Sequence, residues 1–487
     1  MNFLSRFFLT IQRRRGCIAS GLAAMFLAIP AVAQTAGETV LHAFTGADGE
    51  NIATGLVLGP KGVCAEGVPY CRIIYGTAPD GGGTNCVDYW SGGQTTGCGV
   101  VFELIPPVAP GDPWTEQTIY TFTGGADGAF PGTLLYGGKG VLYGTAKAGG
   151  PGASGGSGLG TLYELEEPKG GGSTWTEKVL YSFCRRENCD DGANPGDGLL
   201  ASGGALYGTT AYGGKDSEGT VFKYTLRTST SAPEFQTLYA FQGLDDGAIP
   251  FSGVIADTSG ILYGLTYSGG GTGCGGSGCG TAYELSPVGS GATYEESVIY
   301  RFQGEPDTAQ PGGRMTLLSP GHLVGVGGIG GDTNYGTIFE LISPGTVGAL
   351  WTEMILTDFG IPNLDPPDSS FPNGNLALAS DGSFWGTSYG GGATDIYNGN
   401  VYYAGTIFQL QPPSQGSGQW SRNIRYSFAG PGGLGPAGFG TDGFLPGWGL
   451  INGPDGSFIG TTTEGGGYGC PVQGSLGCGT VFQFVPF

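Results

Sequence analysis

Two sets of loop residues in this chain have the chemistry of a ligand site. The first is a set of aspartates that each precede a glycine: Asp48, Asp127, Asp191, Asp246 and Asp442. Clustered carboxylate oxygens suit Ca²⁺, and they also suit a cationic or sugar ligand. Asp-Gly is equally a favourable turn, because Asp bonds its own backbone and Gly takes a positive φ. The recurrence of the dipeptide favours the turn, and a calcium site is the weaker alternative.

The second set consists of aromatic residues in glycine-rich loops: Tyr89, Trp90, Tyr212, Tyr267, Tyr389, Tyr397 and Tyr468. Aromatic faces stack on sugar rings, and a tyrosine hydroxyl adds a polar group. The competing interpretation is that these rings pack between strands or against loop disulfides. We take the aromatic and aspartate sets together as the candidate ligand-binding residues.

The sequence selects no catalytic group. Of the 2 histidines, His42 occupies a position that is tyrosine in most other copies of a repeat, and His322 has no partner that would make a triad. Two loop carboxylates could cleave a glycosidic bond, although nothing selects which two. Zinc is disfavoured, because the cysteines form no Cys-x-x-Cys pairs. We therefore predict no catalytic residue, no metal site and no cofactor.

The cysteines after the N-terminal segment fall into neighbouring pairs: Cys64 with Cys71, Cys86 with Cys98, Cys184 with Cys189, Cys274 with Cys279, and Cys470 with Cys478. Sequence alone does not determine connectivity. The even number, the clustering and the export signal described below favour local disulfides that stiffen long loops.

A tandem repeat must position these groups. A Gly-(Thr/Val)-x-(Phe/Tyr) element begins at Gly99, Gly160, Gly219, Gly280, Gly336, Gly405 and Gly479. Each repeat of roughly 60 residues contains four short runs with strand-like alternation and β-branched or aromatic residues. Four strands per repeat predict an all-β fold, a seven-bladed β-propeller of four-stranded blades.

The frame of the repeat predicts how the ring closes. Thr39–Phe44 resembles a fourth strand with no blade before it, and Thr480–Phe484 resembles a third strand with no fourth after it. The N-terminal strand should therefore complete the last blade, which removes two exposed edges. Loops from strand two to strand three, and from strand four to the next blade, should share one face. These loops carry most of the disulfides and both candidate sets, so this face is the predicted binding face.

The N-terminal segment and the charge define the setting. Residues 1–33 have a basic start, an apolar stretch and Ala31-Val32-Ala33, which predicts a cleaved signal peptide followed by a single propeller domain over residues 34–487. We expect a periplasmic or extracellular monomer. The formal net charge of −21 argues against nucleic-acid partners. No second segment is suited to membrane insertion.

Leu206-Tyr-Gly-Thr-Thr210 and Gly219-Thr-Val-Phe222 carry a resemblance that recurs along most of the chain. The repeat resembles the Gloeobacter/Verrucomicrobia (GloVer) tandem repeat. The resemblance implies an exported bacterial protein and supplies no catalytic motif. The expected function is therefore non-enzymatic binding or scaffolding, with a carbohydrate, peptide or protein as ligand. The alternative is a polysaccharide hydrolase or lyase that uses carboxylates at the central funnel.

Overall fold

Strands form where the repeated runs alternate, and the computed structural model describes most of them. It describes residues 37–487 except 67, 69–70, 84, 89–93, 152–157, 170–173, 290–292, 347–348, 361–368, 393, 398–399, 415–417, 430–441, 467–469, 471–476 and 487. The predicted signal peptide, residues 1–33, lies outside the described residues. The described part is all-β: it contains no α-helix, and its two short 3-10 turns are Glu187–Cys189 and Cys274–Gly276.

The strands follow in chain order. The first half of the chain holds β1 (Gly37–Ala43), β2 (Val57–Lys61), β3 (Arg72–Ala78), β4 (Cys86–Asp88), β5 (Gln94–Thr96), β6 (Val100–Ile105), β7 (Thr115–Thr121), β8 (Ala129–Pro131), β9 (Leu135–Gly138), β10 (Val141–Ala148), β11 (Thr161–Glu166), β12 (Thr176–Ser182), β13 (Ala193–Pro195), β14 (Leu200–Ser202), β15 (Ala205–Tyr212), β16 (Thr220–Thr225) and β17 (Glu234–Ala240). The second half holds β18 (Ile255–Ala256), β19 (Leu262–Thr266), β20 (Thr281–Val288), β21 (Thr293–Arg301), β22 (Thr308–Ser319), β23 (His322–Gly330), β24 (Thr337–Ile342), β25 (Thr352–Asp358), β26 (Ser370–Leu378), β27 (Phe384–Gly390), β28 (Thr394–Tyr397), β29 (Asn400–Tyr403), β30 (Thr406–Gln411), β31 (Ser421–Ser427), β32 (Phe444–Asn452), β33 (Phe458–Glu464) and β34 (Thr480–Val485).

The sheets are small and antiparallel, and each is built from consecutive strands. We number the repeating units as follows: unit 1 is β2-β3-β6-β7, unit 2 is β8 to β12, unit 3 is β13 to β17, unit 4 is β18 to β21, unit 5 is β22 to β25, unit 6 is β26-β27-β30-β31, and unit 7 is β32-β33-β34 with β1. Units 6 and 7 touch through one parallel pair, Asn375 with Gly449. The hairpins β4–β5 and β28–β29 stand apart in loops. This arrangement is propeller-like.

The recurring glycine of Leu-Tyr-Gly-Thr has a packing role. In unit 1 the Phe102 ring of β6 lies across Gly76 of β3, so that a Cβ there would be 2.4 Å from Phe102 Cζ. Gly208 and Phe222 repeat this contact in unit 3, at 2.6 Å. A glycine inside a strand marks such a close approach. The second and third runs of the repeat are therefore one interlocked pair.

The fourth strand links each unit to the next. Its terminal phenylalanine packs against the third-strand aromatic ring of the following unit at ring-centroid distances of 5.0 to 5.3 Å. The pairs are Phe122–Tyr163, Phe183–Phe222, Phe241–Tyr283, Phe302–Phe339, Phe359–Phe408, Phe428–Phe482 and Phe44–Phe102. Most of these rings are fully buried. The core therefore consists of seams between units.

All five local disulfides predicted from the sequence are present: Cys64–Cys71, Cys86–Cys98, Cys184–Cys189, Cys274–Cys279 and Cys470–Cys478. Such bonds are consistent with export to an oxidising compartment. Among the described residues, no helix has the length and apolar character needed to cross a membrane.

Candidate functional site

Each unit opens with one residue in a left-handed backbone conformation, usually just before a proline. These residues are Asn51, Phe130, Asn194, Ile249, Gln310, Phe371 and Leu445, with φ between 48° and 58°. Such φ values are uncommon for residues other than glycine, and for Ile or Phe they carry strain. We call these seven residues the opening residues.

A backbone hydrogen bond holds each opening residue in place. The Phe130 N–H donates to the Cys98 carbonyl of unit 1, at 3.0 Å, and the Ile249 N–H donates to the Glu218 carbonyl of unit 3, also at 3.0 Å. The acceptor is the residue just before the Gly of Gly-Thr-Val-Phe. This backbone contact does not use the side chain, so the side chain is free to vary from unit to unit.

Four of the opening residues line a central cavity of about 460 Å³. Asn51, Phe130, Asn194 and Ile249 are joined there by residues that follow the second strands and by Trp448 of unit 7. The volume lies within the range of about 300–1,000 Å³ that is usual for small-molecule sites. The cavity therefore lies where the first strands of several units converge, at the end from which the loops after the second strands leave. We call it the central pocket.

Several aromatic side chains line the central pocket. Tyr212, Tyr267, Phe251 and Trp448 line it, and the Tyr267 ring meets Phe251 edge-on at a centroid distance of 5.6 Å. The Tyr267 hydroxyl donates to Gln310 Oε1 at 2.7 Å, which fixes the ring. Rings held in this way present flat apolar faces together with a polar edge.

The central pocket also has polar lining residues. Asp197 is 5% exposed, and its Oδ2 lies 3.4 Å from Lys147 Nζ. Its Oδ1 is buried and accepts no hydrogen bond from any described residue. The Asn194 amide donates to the Lys147 carbonyl at 2.9 Å. A buried carboxylate oxygen without a donor is costly, because it has lost its hydration. A ligand hydroxyl could supply the missing hydrogen bond.

An acidic pair, Glu50 and Asp80, has one member in the lining of the central pocket. Asp80 lines the pocket and accepts a hydrogen bond from the Asn51 amide at 3.1 Å. Its neighbour Glu50 is buried, and the two residues form a backbone bridge. Burial, with Asp80 and Glu464 nearby, raises the pKa of Glu50 to about 7. At mildly acidic pH Glu50 therefore stays largely protonated.

The structure distributes the residues selected from the sequence unevenly. Tyr212 and Tyr267 lie in the central pocket. Tyr389 is 43% exposed and lies outside the pocket lining. Tyr89, Trp90 and Tyr468, and the side chain of Tyr397 in β28, lie outside the described residues. None of the five selected aspartates lines the pocket.

Those aspartates instead accept hydrogen bonds within the outer part of the fold. Asp127 accepts from the Thr123 N–H at 2.8 Å and from the Tyr120 hydroxyl of β7 at 3.1 Å. Equivalent tyrosine–aspartate bonds join Tyr181 to Asp191, Tyr239 to Asp246, Tyr300 to Asp307 and Tyr426 to Asp442. His42 replaces the tyrosine in one copy, with Nε2 2.9 Å from Asp48 Oδ2. This is the structural role that the turn interpretation predicts.

A glutamate from the next unit's fourth strand faces several of these aspartates. Burial and Asp442 raise the pKa of Glu38 to about 8. Burial and the paired aspartate raise the pKa of Glu177 and that of Glu296 to about 7. Burial also raises the pKa of Glu353, which faces Asp307. The seams between units thus contain carboxyl pairs that hold protons near neutral pH.

One such pair, with its histidine, has the composition of a metal site. One ligand atom each from His42, Asp48 and Glu116 lies within 4.8 Å of the others. The arrangement repeats the tyrosine–aspartate–glutamate contact of the other seams, which accounts for it without a metal. His322, the other histidine, lies 2.7 Å from Glu340 through Nδ1 and is away from the central pocket.

The fold and the central pocket define the class: an all-β repeat protein with a propeller-like arrangement and a cavity where its inner strands meet. Residues 74–277 match the family model described as Gloeobacter/Verrucomicrobia repeat. The resemblance found in the sequence is thereby confirmed over these residues. No curated protein matches it in sequence.

Solved structures give only distant matches. A protein of unknown function from Dyadobacter fermentans is 11% identical with a TM-score of 0.40, over 93% of this chain and 99% of that chain. A hypothetical selenium-binding protein from Sulfolobus tokodaii is 12% identical with a TM-score of 0.41, over 66% and 75%. An α-L-arabinofuranosidase from Lactobacillus brevis is 16% identical with a TM-score of 0.32, over 61% and 91%. At this similarity, the neighbours' activities have no bearing on this chain.

Proposed function

We propose that this chain is an exported, closed seven-bladed propeller that binds a carbohydrate in the central pocket without cleaving it. The observation that carries the proposal is the presence of aromatic side chains in the same pocket as Asp197, whose buried Oδ1 has no hydrogen-bond donor among the described residues. Tyr212, Tyr267 and Trp448 offer ring faces, and Asp197 and Lys147 offer hydrogen-bonding partners for hydroxyl groups. Sugars present both an apolar face and hydroxyl groups, so they suit such a cavity better than a purely apolar ligand does.

Closure into a ring is supported by contacts that recur without a break. The Phe44–Phe102 contact joins unit 7 to unit 1 at 5.0 Å, as the other pairs join consecutive units. The Asn51 N–H donates to the Cys478 carbonyl at 3.1 Å, which repeats the opening-residue bond across the same seam. The strand β1 pairs with β34 from Gly37–Val485 to Ala43–Thr480. A closed ring has no free edge strand at either end of the repeat array.

Replacing Tyr267 with alanine is expected to weaken carbohydrate binding at least about tenfold, since stacking and the fixed ring are lost together. The measurement is calorimetric titration of residues 34–487 with those members of an oligosaccharide panel that the wild type binds. Tyr389→Ala is the matched control, because that ring is exposed outside the pocket. Tyr267→Phe keeps the ring and removes only the bond to Gln310. Equal losses in Tyr267→Ala and Tyr389→Ala would rule out the central pocket as the site.

Hydrolysis is the second candidate, and the Glu50–Asp80 pair is the observation that favours it. Glu50 has the pKa of a general acid, but only Asp80 lines the central pocket. Mass spectrometry of polysaccharides after incubation with the protein distinguishes the two functions. If the wild type produces fragments and Glu50→Gln does not, the protein is a hydrolase and the binding function is wrong. Intact polymers that are retained by the protein would support the binding function.

A further inference from the structure

A second, smaller cavity lies next to the central pocket. Its volume is about 200 Å³, and it shares Trp448 with the pocket. Ala53 and Asp197 line the pocket, and the next residues along the chain, Thr54 and Gly198, line the smaller cavity, so the two cavities are adjacent. Units 1, 2, 3, 5, 6 and 7 all contribute to its wall. It therefore lies among the innermost strands, and we call it the inner cavity.

One charged side chain lines the inner cavity. Arg314 of β22 donates from Nη2 to the Val254 carbonyl at 3.3 Å, while its Nε is buried and has no hydrogen-bond partner among the described residues. Burial lowers the pKa of this guanidinium. The Arg314 backbone N–H donates to Asn375 Oδ1 at 2.7 Å, which ties its strand to unit 6. The guanidinium is therefore held in place while one of its inner donors is unused.

No described carboxylate forms an ion pair with Arg314. The cavity lining contains threonines, glycines, Asn375 and apolar residues, and it contains no acid. Taking an ion out of water without a counter-charge costs several kcal/mol even after relaxation. The chain carries a net charge of −21, yet no acid pairs with this buried cation among the described residues. The missing counter-charge thus points to a ligand.

We infer that the inner cavity binds a small anion, which the Arg314 guanidinium holds through Nε. The volume admits a halide, or a planar oxyanion such as nitrate or formate, with accompanying water, since a water occupies about 30 Å³. Guanidinium donors match carboxylate-like oxyanions in geometry. The anion would cross-bridge first strands from several units at the centre of the fold. Its source is either an inorganic anion or the carboxylate of a small organic acid.

The test is thermal unfolding at constant ionic strength, with sodium gluconate replaced stepwise by sodium chloride, nitrate, formate or acetate. Gluconate serves as the background anion because of its size. Wild-type protein is expected to show a saturable rise in Tm with at least one small anion, as mass action requires for a ligand of the native state. A rise in Tm with chloride or nitrate indicates an inorganic anion as the ligand, and a rise with formate or acetate indicates the carboxylate of an organic acid. Arg314→Met should unfold at a temperature independent of the anion.

Arg72→Gln is the matched control, because the Arg72 guanidinium donates to the Gly59 carbonyl and lies outside the inner cavity. It should respond to anions as the wild type does. An equal response in Arg314→Met, or no response in the wild type, would overturn the inference. If Arg314→Met does not fold, the ³⁵Cl NMR linewidth of chloride in the presence of wild-type protein tests the site instead. Broadening by the protein that formate reverses supports the site. A linewidth that neither the protein nor formate changes refutes it.

Discussion

Replacing Phe44 with alanine is expected to lower the free energy of unfolding by about 3–5 kcal/mol, the usual cost of removing a buried phenylalanine. Phe44 is 1% exposed and meets Phe102 across the seam between units 7 and 1. In a closed ring, the contact between units 7 and 1 contributes as much to the free energy of unfolding as the corresponding contact between any other two units. Chemical denaturation of residues 34–487, followed by tryptophan fluorescence, measures the change.

Phe122→Ala is the matched variant, since Phe122 makes the same contact with Tyr163 between units 1 and 2. The two losses should agree within about 1 kcal/mol. If Phe44→Ala is nearly neutral while Phe122→Ala is costly, the array is open in solution between units 7 and 1. That result would contradict ring closure and leave the other seams intact.

The free energy of unfolding is expected to be highest near pH 5 and to fall by several kcal/mol toward pH 9. Glu38, Glu177 and Glu296 have raised pKa values in the folded chain, so the fold binds protons more tightly than the unfolded chain does. Their stabilisation is complete below the unfolded pKa of 4.5 and is lost as pH rises through the folded values of about 7 to 8. Each pKa unit corresponds to at most about 1.4 kcal/mol, and solvent screening lowers this contribution for Glu177 and Glu296, which are only partly buried. Urea titrations at pH 5, 7 and 9 measure this dependence.

Glu296→Gln identifies the group responsible, because glutamine imitates the protonated acid and does not ionise. This variant should lose less stability between pH 5 and pH 9 than the wild type. Glu295→Gln is its control, since Glu295 is exposed and adjacent on β21. If the free energy of unfolding of the wild type is constant or rises between pH 5 and pH 9, the carboxyl pairs ionise without destabilising the fold.

The pairing of the second and third strands of each unit was predictable from the sequence, because their packing restricts which residues can occupy nearby positions. Gly208 is obligatory under the Phe222 ring, so the glycine and the aromatic residue recur together in every repeat with little variation. Disulfide pairing was predictable for a similar reason, since each bond closes a short loop. Contacts within one repeat are visible in sequence because the repeat copies them.

The central pocket was only partly predictable. Tyr212 and Tyr267 stand out in the sequence as loop aromatics, whereas Asp197, Lys147 and the opening residues do not. The loop after each fourth strand begins at the outer edge, where Asp127 bonds Tyr120, and reaches the pocket three residues later at Phe130. Three extended residues span about 10 Å, enough to separate a turn residue from a pocket residue. The sequence feature that marks the opening residues is a variable residue before a proline that recurs between repeats, as in Ala129-Phe-Pro131 and Ala193-Asn-Pro195.

The pairing of β1 with β34 has a consequence for the order of folding. Gly37 meets Val485, so this sheet forms only when the two ends of the domain come together. Contacts of such high sequence separation must overcome the largest loop-closure entropy, and they form slowly. During synthesis, units 1 to 6 can complete their sheets in turn. Unit 7 can complete its sheet only when β34 has been made and has paired with β1, the first strand of the domain. We therefore expect the last unit to limit the folding rate and to be the part that a chaperone protects longest.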